Sequence, residues 1–146
     1  MRGISHGYTN FANEVMIDRL AKVSGRGPIE LRAELLSENE RAAIVMKELQ
    51  VINDASPLAD GMSRGYAFAF EGVPGRPYQY YSGHMADVRR LEDGRIKVHK
   101  IWVVADHGRV INPQSFKRQI HSSIVFALSM MRSGKITMKN GQIEQG

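Results

Sequence analysis

The most informative absence in this 146-residue chain is cysteine, of which there is none. A chain without cysteine forms no disulfide, no thiolate zinc site and no thiol nucleophile, and it cannot hold an iron–sulfur cluster through cysteine. Any redox metal must therefore be held by other groups or by an organic cofactor.

Long hydrophobic runs are also missing. The longest ones, around Ile101–Ala105 and Ile124–Met131, are shorter than the roughly 20 residues of a membrane-spanning helix. The first seven residues, Met1–Gly7, contain no apolar core of a signal peptide. We therefore expect no membrane span. A cytoplasmic location is the default, and a periplasmic location stays open for a longer parent protein.

The rest of the composition is that of an ordinary globular protein, with 42% hydrophobic and 24% charged residues. We expect one domain over 1–146, with a helical part at 1–52 and a sheet with a long helix at 62–146. The net charge is +5, but no block of five or six basic residues occurs. A solvated surface is the simpler interpretation and nucleic acid is not an expected partner. A stand-alone module that binds anions or nucleic acid, recognised by salt-sensitive binding, is the alternative.

The first third of the chain has the apolar spacing of helices. A helix is predicted over 10–24, with Thr9 or Asn10 as its cap, and a second one starts at Pro28. A capping box beginning at Ser37 predicts a third helix to about 52. The predicted apolar side of the first helix comprises Phe11, Val15, Met16, Leu20 and Val23.

After these predicted helices, the spacing of the apolar residues changes to that of an extended chain. Strands are predicted over Gly65–Phe70, from Tyr78 to Val88, and from Ile96 to Ala105, with a hairpin turn at 92–95. The apolar parity shifts near His99, which predicts either a β-bulge or a fully buried far half of this strand.

The last part of the chain combines a helix with a short hairpin. Asn112 and Pro113 are a typical cap and first residue of a long helix, and Asn140-Gly141 is a strong hairpin signal. The predicted fold class is therefore α+β, with N-terminal helices, a mainly antiparallel sheet, one long helix and a C-terminal hairpin.

Side chains alone do not identify a reaction. The five histidines lack the spacing of metal ligands, so no protein-ligated metal is expected, and His84 is predicted to pack on a strand. Two turns, Arg2–Gly7 and Asp106–Arg109, precede helices and could receive an anion through backbone amides. A disordered terminus and a plain strand-to-helix connection remain the alternatives for these two turns.

The residue order nevertheless resembles a known family across essentially the whole chain. Arg2–Ser5 and Phe11–Ala21 resemble a segment of the large subunits of the xanthine dehydrogenase and aldehyde oxidase family, and the isoquinoline 1-oxidoreductase branch looks most similar. Further segments follow in the family's order: Gly27–Leu36, Gly94–Asp106, Gly108–Pro113 (the most specific match), Gln119–Ser122, Phe126–Ser129 and Ile136–Gln145.

This resemblance implies a molybdopterin (molybdenum) cofactor and the oxidative hydroxylation of a small molecule, either an aldehyde or an N-heterocycle. It also implies an iron–sulfur subunit as a partner, because this chain has no cysteine. By position, Arg2 and Gly3 match a turn near the cofactor and Gln119 matches a glutamine near the pterin. No catalytic residue and no metal ligand is carried over.

The chain departs from the family at several positions. His121-Ser122 replaces a Glu-Gly pair, Ser123 replaces a further glycine, and the family's catalytic glutamate belongs downstream of Gly146. We therefore expect a fragment of a molybdopterin-binding domain, an oxidoreductase only by resemblance, that needs the remainder of a large subunit. Exposed apolar surface would favour self-association. A non-catalytic remnant is the alternative.

Overall fold

The computed structural model describes residues 6–72 and 78–145, and it confirms the predicted α+β class. The chain divides into two compact units, Met1–Gly108 and Arg109–Gly146. The elements, in chain order, are α1 (His6–Ser24), α2 (Pro28–Leu35), α3 (Glu40–Asp54), β1 (Ser63–Gly72), β2 (Gln79–Arg90), β3 (Ile96–Asp106), α4 (Pro113–Ser133), β4 (Met138–Lys139) and β5 (Gln142–Ile143).

Helix α1 begins earlier than the sequence indicated. It starts at His6, so Thr9 and Asn10 lie inside the helix and the predicted cap at these residues is wrong. The Asn10 amide has another partner, since it donates to the backbone oxygen of Phe68 on β1, 3.1 Å away. The predicted end of the helix is correct, because Gly25 follows it with a φ of 68°.

The side of α1 that packs is not its apolar side. Glu14 and Ala21 are the buried residues, whereas Phe11 is 69% and Val23 is 87% exposed. The physical reason is that Glu14 has strong partners inside, including the Arg32 guanidinium at 2.8 Å. The apolar spacing of the sequence therefore predicted the helix correctly, but it predicted the wrong side of the helix to be buried.

Helices α2 and α3 start at different kinds of cap. Gly27 precedes α2, and its amide donates to the Glu30 carboxylate at 3.2 Å, with Pro28 as the first helical residue. Asn39, not Ser37, caps α3, because its side-chain oxygen accepts from the Ala42 amide at 3.1 Å. The predicted capping box at Ser37 is thus wrong, since residues 36–39 form a turn between the two helices.

Strands β1, β2 and β3 form an antiparallel sheet with β2 in the centre. The register shifts between Asp87 and Val88, which pair with Lys100 and Val98. His99 therefore has no Cα partner, and the predicted bulge is confirmed. Side chains of β2 alternate between two faces, and the face that carries Tyr81 and Met85 is the more deeply buried one.

The core of the first unit lies between this sheet face and the helices. Gly83 on β2 is the point of closest approach, because a Cβ atom there would lie 3.1 Å from Val45 and 3.3 Å from Leu49 on α3. The buried core residues are Ile29, Ala42, Val45, Met46, Leu49, Phe68, Tyr81 and Met85.

The second unit consists of α4 and the β4–β5 hairpin. Asn140 and Gly141 both have positive φ, 51° and 77°, as a two-residue type I′ turn requires, so the predicted hairpin is confirmed. None of the 21 residues of α4 is buried. Among the residues that the structure describes, no helix is long and apolar enough to cross a membrane.

Candidate functional site

The three residues assigned to the cofactor by resemblance fall in two parts of the chain. Arg2 and Gly3 lie outside the described residues. Gln119 lies in the second turn of α4, and its side chain is exposed. The candidate site is therefore built on α4.

The start of α4 is fixed by its own sequence. Asn112 has an extended backbone, and its side-chain oxygen accepts from the Ser115 amide at 3.0 Å. Pro113 follows as the first helical residue. This arrangement is the predicted one, and it holds the first turn in a regular geometry just ahead of Gln119.

The Gln119 carboxamide forms no hydrogen bond with the rest of the described chain, so its donor and acceptor groups both face outward. The two serines that replace family glycines lie in the next turn. The Ser123 hydroxyl donates to the Gln119 backbone oxygen at 2.8 Å. Its oxygen is therefore turned back along the helix, which limits how far Ser123 projects from the α4 surface.

The turn at Asp106–Arg109 is organised by a carboxylate. The Arg41 guanidinium of α3 donates to both Asp106 oxygens, at 2.7 and 2.8 Å, and the Gly108 amide donates to Asp106 Oδ1 at 2.8 Å. The hydrogen bonds from Arg41 lower the pKa of Asp106 to about 2. The carboxylate is thus charged at neutral pH. It accepts a hydrogen bond from the Gly108 amide, which the anion-binding hypothesis had assigned to a bound anion.

Two histidines, His84 on β2 and His107 just after β3, are packed against neighbouring side chains. His107 stacks on Tyr80 with ring centres 4.6 Å apart, and burial lowers the pKa of His107. His84 Nε2 lies 3.0 Å from the Ser82 hydroxyl, and burial lowers its pKa as well. Both imidazoles are therefore neutral at pH 7, and His84 packs on its strand as predicted.

A buried ion-pair network was not predicted from the sequence. Arg32, which is 1% exposed, donates to Glu14 at 2.8 Å, to Asp18 at 2.8 Å and to the Tyr66 backbone oxygen at 3.2 Å. Glu14 also accepts from the Phe68 amide at 2.8 Å. The network joins α1, α2 and β1. The only sequence signal of this network was the position of the charged Glu14, which lies at helical spacing from Ala21 and therefore on the same side of α1.

A groove of about 560 Å³ runs beside the first half of α1. Its polar wall includes Asn10 and Asn13, and its apolar wall includes Phe68 and Phe70. The predicted turn at Arg2 and Gly3 immediately precedes this helix in the sequence. Within the residues that the structure describes, no group of three histidine or carboxylate side chains could hold a metal ion.

Comparison with known proteins assigns the family. Residues 12–146 match the model of the molybdopterin cofactor-binding domain. The β subunit of isoquinoline 1-oxidoreductase from Brevundimonas diminuta is 24% identical over 148 residues, which cover 99% of this chain and 18% of that protein. One of the subunits of nicotinate dehydrogenase from Pseudomonas putida is 27% identical, over 98% of this chain and 13% of that protein.

A third relative is named for a different cofactor. The membrane-bound aldehyde dehydrogenase [pyrroloquinoline-quinone] of Gluconacetobacter polyoxogenes is 24% identical, over 97% of this chain and 20% of that protein. The chain thus spans a fifth or less of the length of these relatives. Because the family model covers nearly all of the sequence, the chain belongs to the molybdopterin cofactor-binding domain family.

Proposed function

We propose that this chain forms one side of the molybdopterin site of a molybdenum hydroxylase, with Gln119 in hydrogen-bonding contact with the pterin. The observation that carries the proposal is the exposed Gln119 carboxamide, which has no partner in the described chain and lies on a helix of a molybdopterin cofactor-binding domain. Arg2 and Gly3, also assigned to the cofactor by resemblance, lie outside the described residues and stay proposed contacts.

The residues of α4 fit this role. A carboxamide offers one acceptor and two donor hydrogens, which match the alternating donors and acceptors along the edge of a pterin. Ser123 replaces a family glycine, but its hydroxyl is bonded to the helix backbone at 2.8 Å. The serine at this position therefore leaves room for a planar group beside Gln119.

The proposed reaction is the oxidative hydroxylation of an aldehyde or an N-heterocycle. The bound cofactor would supply the oxidation chemistry, and this chain would bind and orient it. The names of the relatives, which refer to isoquinoline, nicotinate and an aldehyde, support these two substrate classes. Because the chain has no cysteine, iron–sulfur clusters that accept the electrons would belong to another polypeptide.

We also propose that the chain works within a larger assembly, as its relatives named as subunits suggest. Two observations support this. Helix α1 exposes large apolar side chains, with Phe11 at 69% and Met16 at 64%, and α4 buries none of its residues. Apolar surface of this extent on two helices is typical of surfaces that other protein segments cover.

The experiment is a comparison of two glutamine variants. The tagged full chain is purified from its host together with the proteins it assembles with, and molybdenum and oxidised pterin are measured per chain. Gln119→Ala should retain cofactor about five- to tenfold less well, because one hydrogen bond contributes about 1 kcal/mol. The matched control is Gln114→Ala, an exposed glutamine in the first turn of the same helix.

Three outcomes are informative. Equal cofactor content in Gln119→Ala and wild type would remove Gln119 from the site. A complete assembly without molybdenum or pterin would favour the non-catalytic alternative. Equal loss of cofactor in both glutamine variants would show that the effect is not specific to Gln119.

A further inference from the structure

The two edges of the three-stranded sheet differ in how they are covered. At the β1 edge, the Phe68 amide donates to the Glu14 carboxylate at 2.8 Å, and the Phe68 backbone oxygen accepts from Asn10 at 3.1 Å. The backbone oxygen of Tyr66 accepts from the Arg32 guanidinium at 3.2 Å. Helix side chains thus occupy backbone groups of β1 that would otherwise be open to pairing with a further strand.

The same contacts fix which backbone groups of β3 face away from the sheet. The N–H and C=O groups of successive residues in an antiparallel strand point to alternate sides. Because those of Tyr66 and Phe68 point outward, odd positions of β1 bond to even positions of β2, and odd positions of β2 bond to even positions of β3. The backbone groups of Ile101, Val103 and Ala105 therefore face the free edge. No other residue in the described ranges forms a hydrogen bond with them.

This open edge has little of the shielding that is usual for edge strands. Lysines, prolines and bulges commonly prevent an edge strand from pairing with another chain. In β3 such features lie in the first part only, where the bulge at His99 is flanked by Lys97 and Lys100. The following stretch, Ile101–Ala105, is entirely apolar and contains neither a charge nor a proline. An unshielded edge of this composition favours pairing with another strand.

We propose that a second copy of this chain covers the β3 edge, by antiparallel pairing of the two β3 strands about a two-fold axis at Val103. In this register Val103 faces Val103 of the second copy, and Ile101 faces Ala105 of the second copy. Each of these pairs joins outward-facing backbone groups, so each exchanges two backbone hydrogen bonds, as in an ordinary antiparallel ladder.

The side chains of β3 are self-complementary in this register. Lys100 lies opposite Asp106 of the second copy, so a pair of opposite charges stands at each end of the apolar centre. The Asp106 side chain is 34% exposed although Arg41 holds it, so it can accept from a further cation. Trp102 lies opposite Val104 of the second copy, and aromatic side chains pair well with β-branched ones across strands.

The charges also select this register over its neighbours. Only shifts that keep outward-facing groups opposite each other preserve the backbone hydrogen bonds. In the two nearest registers of this kind, Lys100 would face Val104 or Gly108 of the second copy, and both charge pairs would be lost. The axis at Val103 is therefore the one that satisfies the backbone and the side chains together.

A strand of another polypeptide is the other possible occupant. It would gain the same backbone hydrogen bonds, and each relative is long enough to contain such a strand, because the chain spans a fifth or less of its length. Nothing in β3 selects the sequence of a foreign strand, whereas a second copy brings the matching charges of Lys100 and Asp106. The observations therefore favour the second copy.

Cysteine crosslinking tests the register, since the chain contains no cysteine of its own. In the proposed dimer the two Cα atoms of residue 103 are about 5.5 Å apart, a distance that a disulfide spans. The full chain carrying Val103→Cys should therefore form a disulfide-linked dimer under mild oxidation. The matched control is Ile101→Cys on the same strand and face, which should not, because its two copies are roughly 14 Å apart. A mixture of Ile101→Cys and Ala105→Cys should crosslink as a heterodimer.

Association is measured by sedimentation of the full chain. Val103→Pro removes an outward N–H in each copy and leaves the β2 ladder intact, so it should raise the dimer dissociation constant about tenfold or more. Lys100→Glu places like charges opposite each other and should weaken the dimer severalfold. Lys47→Glu, an exposed charge reversal on α3, should change the constant by less than about twofold. Circular dichroism checks that each variant folds.

The proposal fails if wild type sediments as a monomer at every concentration, or if Ile101→Cys crosslinks as well as Val103→Cys. Dimerisation of folded Val103→Pro with the affinity of wild type would also overturn it. So would a copurifying protein that protects the amides of Ile101, Val103 and Ala105 from hydrogen exchange and leaves a monomer when it is removed. None of these readouts depends on molybdenum or pterin, so this dimer and the cofactor site fail independently.

Discussion

At the scale of single residues, Arg32 holds together α1, α2 and β1 through the carboxylates of Glu14 and Asp18 and through three backbone oxygens. Replacing it by methionine leaves the Glu14 carboxylate buried without its cation. We expect Arg32→Met to lower the free energy of unfolding by about 3–5 kcal/mol, measured by urea denaturation of the full chain.

A matched control for this variant is Arg19→Met on the exposed side of α1, which should change the free energy of unfolding by less than about 0.5 kcal/mol. Arg32→Lys retains the charge but loses the forked geometry, and it should fall between the two. A loss of less than about 1 kcal/mol for Arg32→Met would contradict the role of the network.

Asp106 gives the protein a defined acid sensitivity. Its pKa lies at about 2 in the folded chain, against 3.8 for the ordinary side chain, because Arg41 donates to it. The pair therefore stabilises the fold fully above about pH 4, and this contribution is lost as the pH falls from about 4 to 2.

The expected measurement is the melting temperature of wild type and Asp106→Asn between pH 6 and pH 2. The difference between them should be constant above pH 4 and should shrink below it. Glu48→Gln, an exposed neutralisation on α3, serves as the control. A difference that stays the same down to pH 2 would show that the Asp106 charge does not stabilise the fold.

The roles of some single residues could be predicted from the sequence, and those of others could not. The cap at Asn112 was predictable, because a local rule connects asparagine, proline and the helix start. The burial of Glu14 was not, because its partners lie 18 and 54 residues away in the sequence. Gln119 was found only through the resemblance, since an exposed glutamine has no signature of its own.

At the scale of elements, the packing of α3 on β2 depends on the absence of a side chain at Gly83. A Cβ atom there would lie 3.1 Å from Val45 and 3.3 Å from Leu49. Gly83→Val should therefore separate the helix from the sheet and lower the free energy of unfolding by about 1–3 kcal/mol, measured by thermal or urea unfolding.

Gly65→Val is the control, because no atom lies within 4 Å of a Cβ at that position on β1. Valine favours a strand, so this variant should be neutral or slightly stabilising. Equal destabilisation by the two variants would mean that a general effect of replacing strand glycines, and not the contact with α3, is responsible.

The elements themselves were largely predictable. Four helices, three long strands, the bulge at His99 and the C-terminal hairpin follow from period and turn residues. The inner face of α1 was not predictable, because the partners that hold Glu14 inside lie far from it in the sequence. The exposed Phe11 and Val23 are consistent with the proposed larger assembly, in which another protein segment would cover them.

At the scale of the whole molecule, family membership rests on residue order across 12–146, and the fold alone would not reveal it. An α+β fold serves many functions, so the site must carry the functional argument. Self-association, predicted from exposed apolar surface, remains a prediction.

The central claim is that this chain takes part in binding molybdopterin. The most direct test is the molybdenum and pterin content of the wild-type chain, purified from its host within its intact assembly. We expect about one molybdenum atom and one pterin per chain. An intact assembly that contains this chain but neither molybdenum nor pterin would contradict the account.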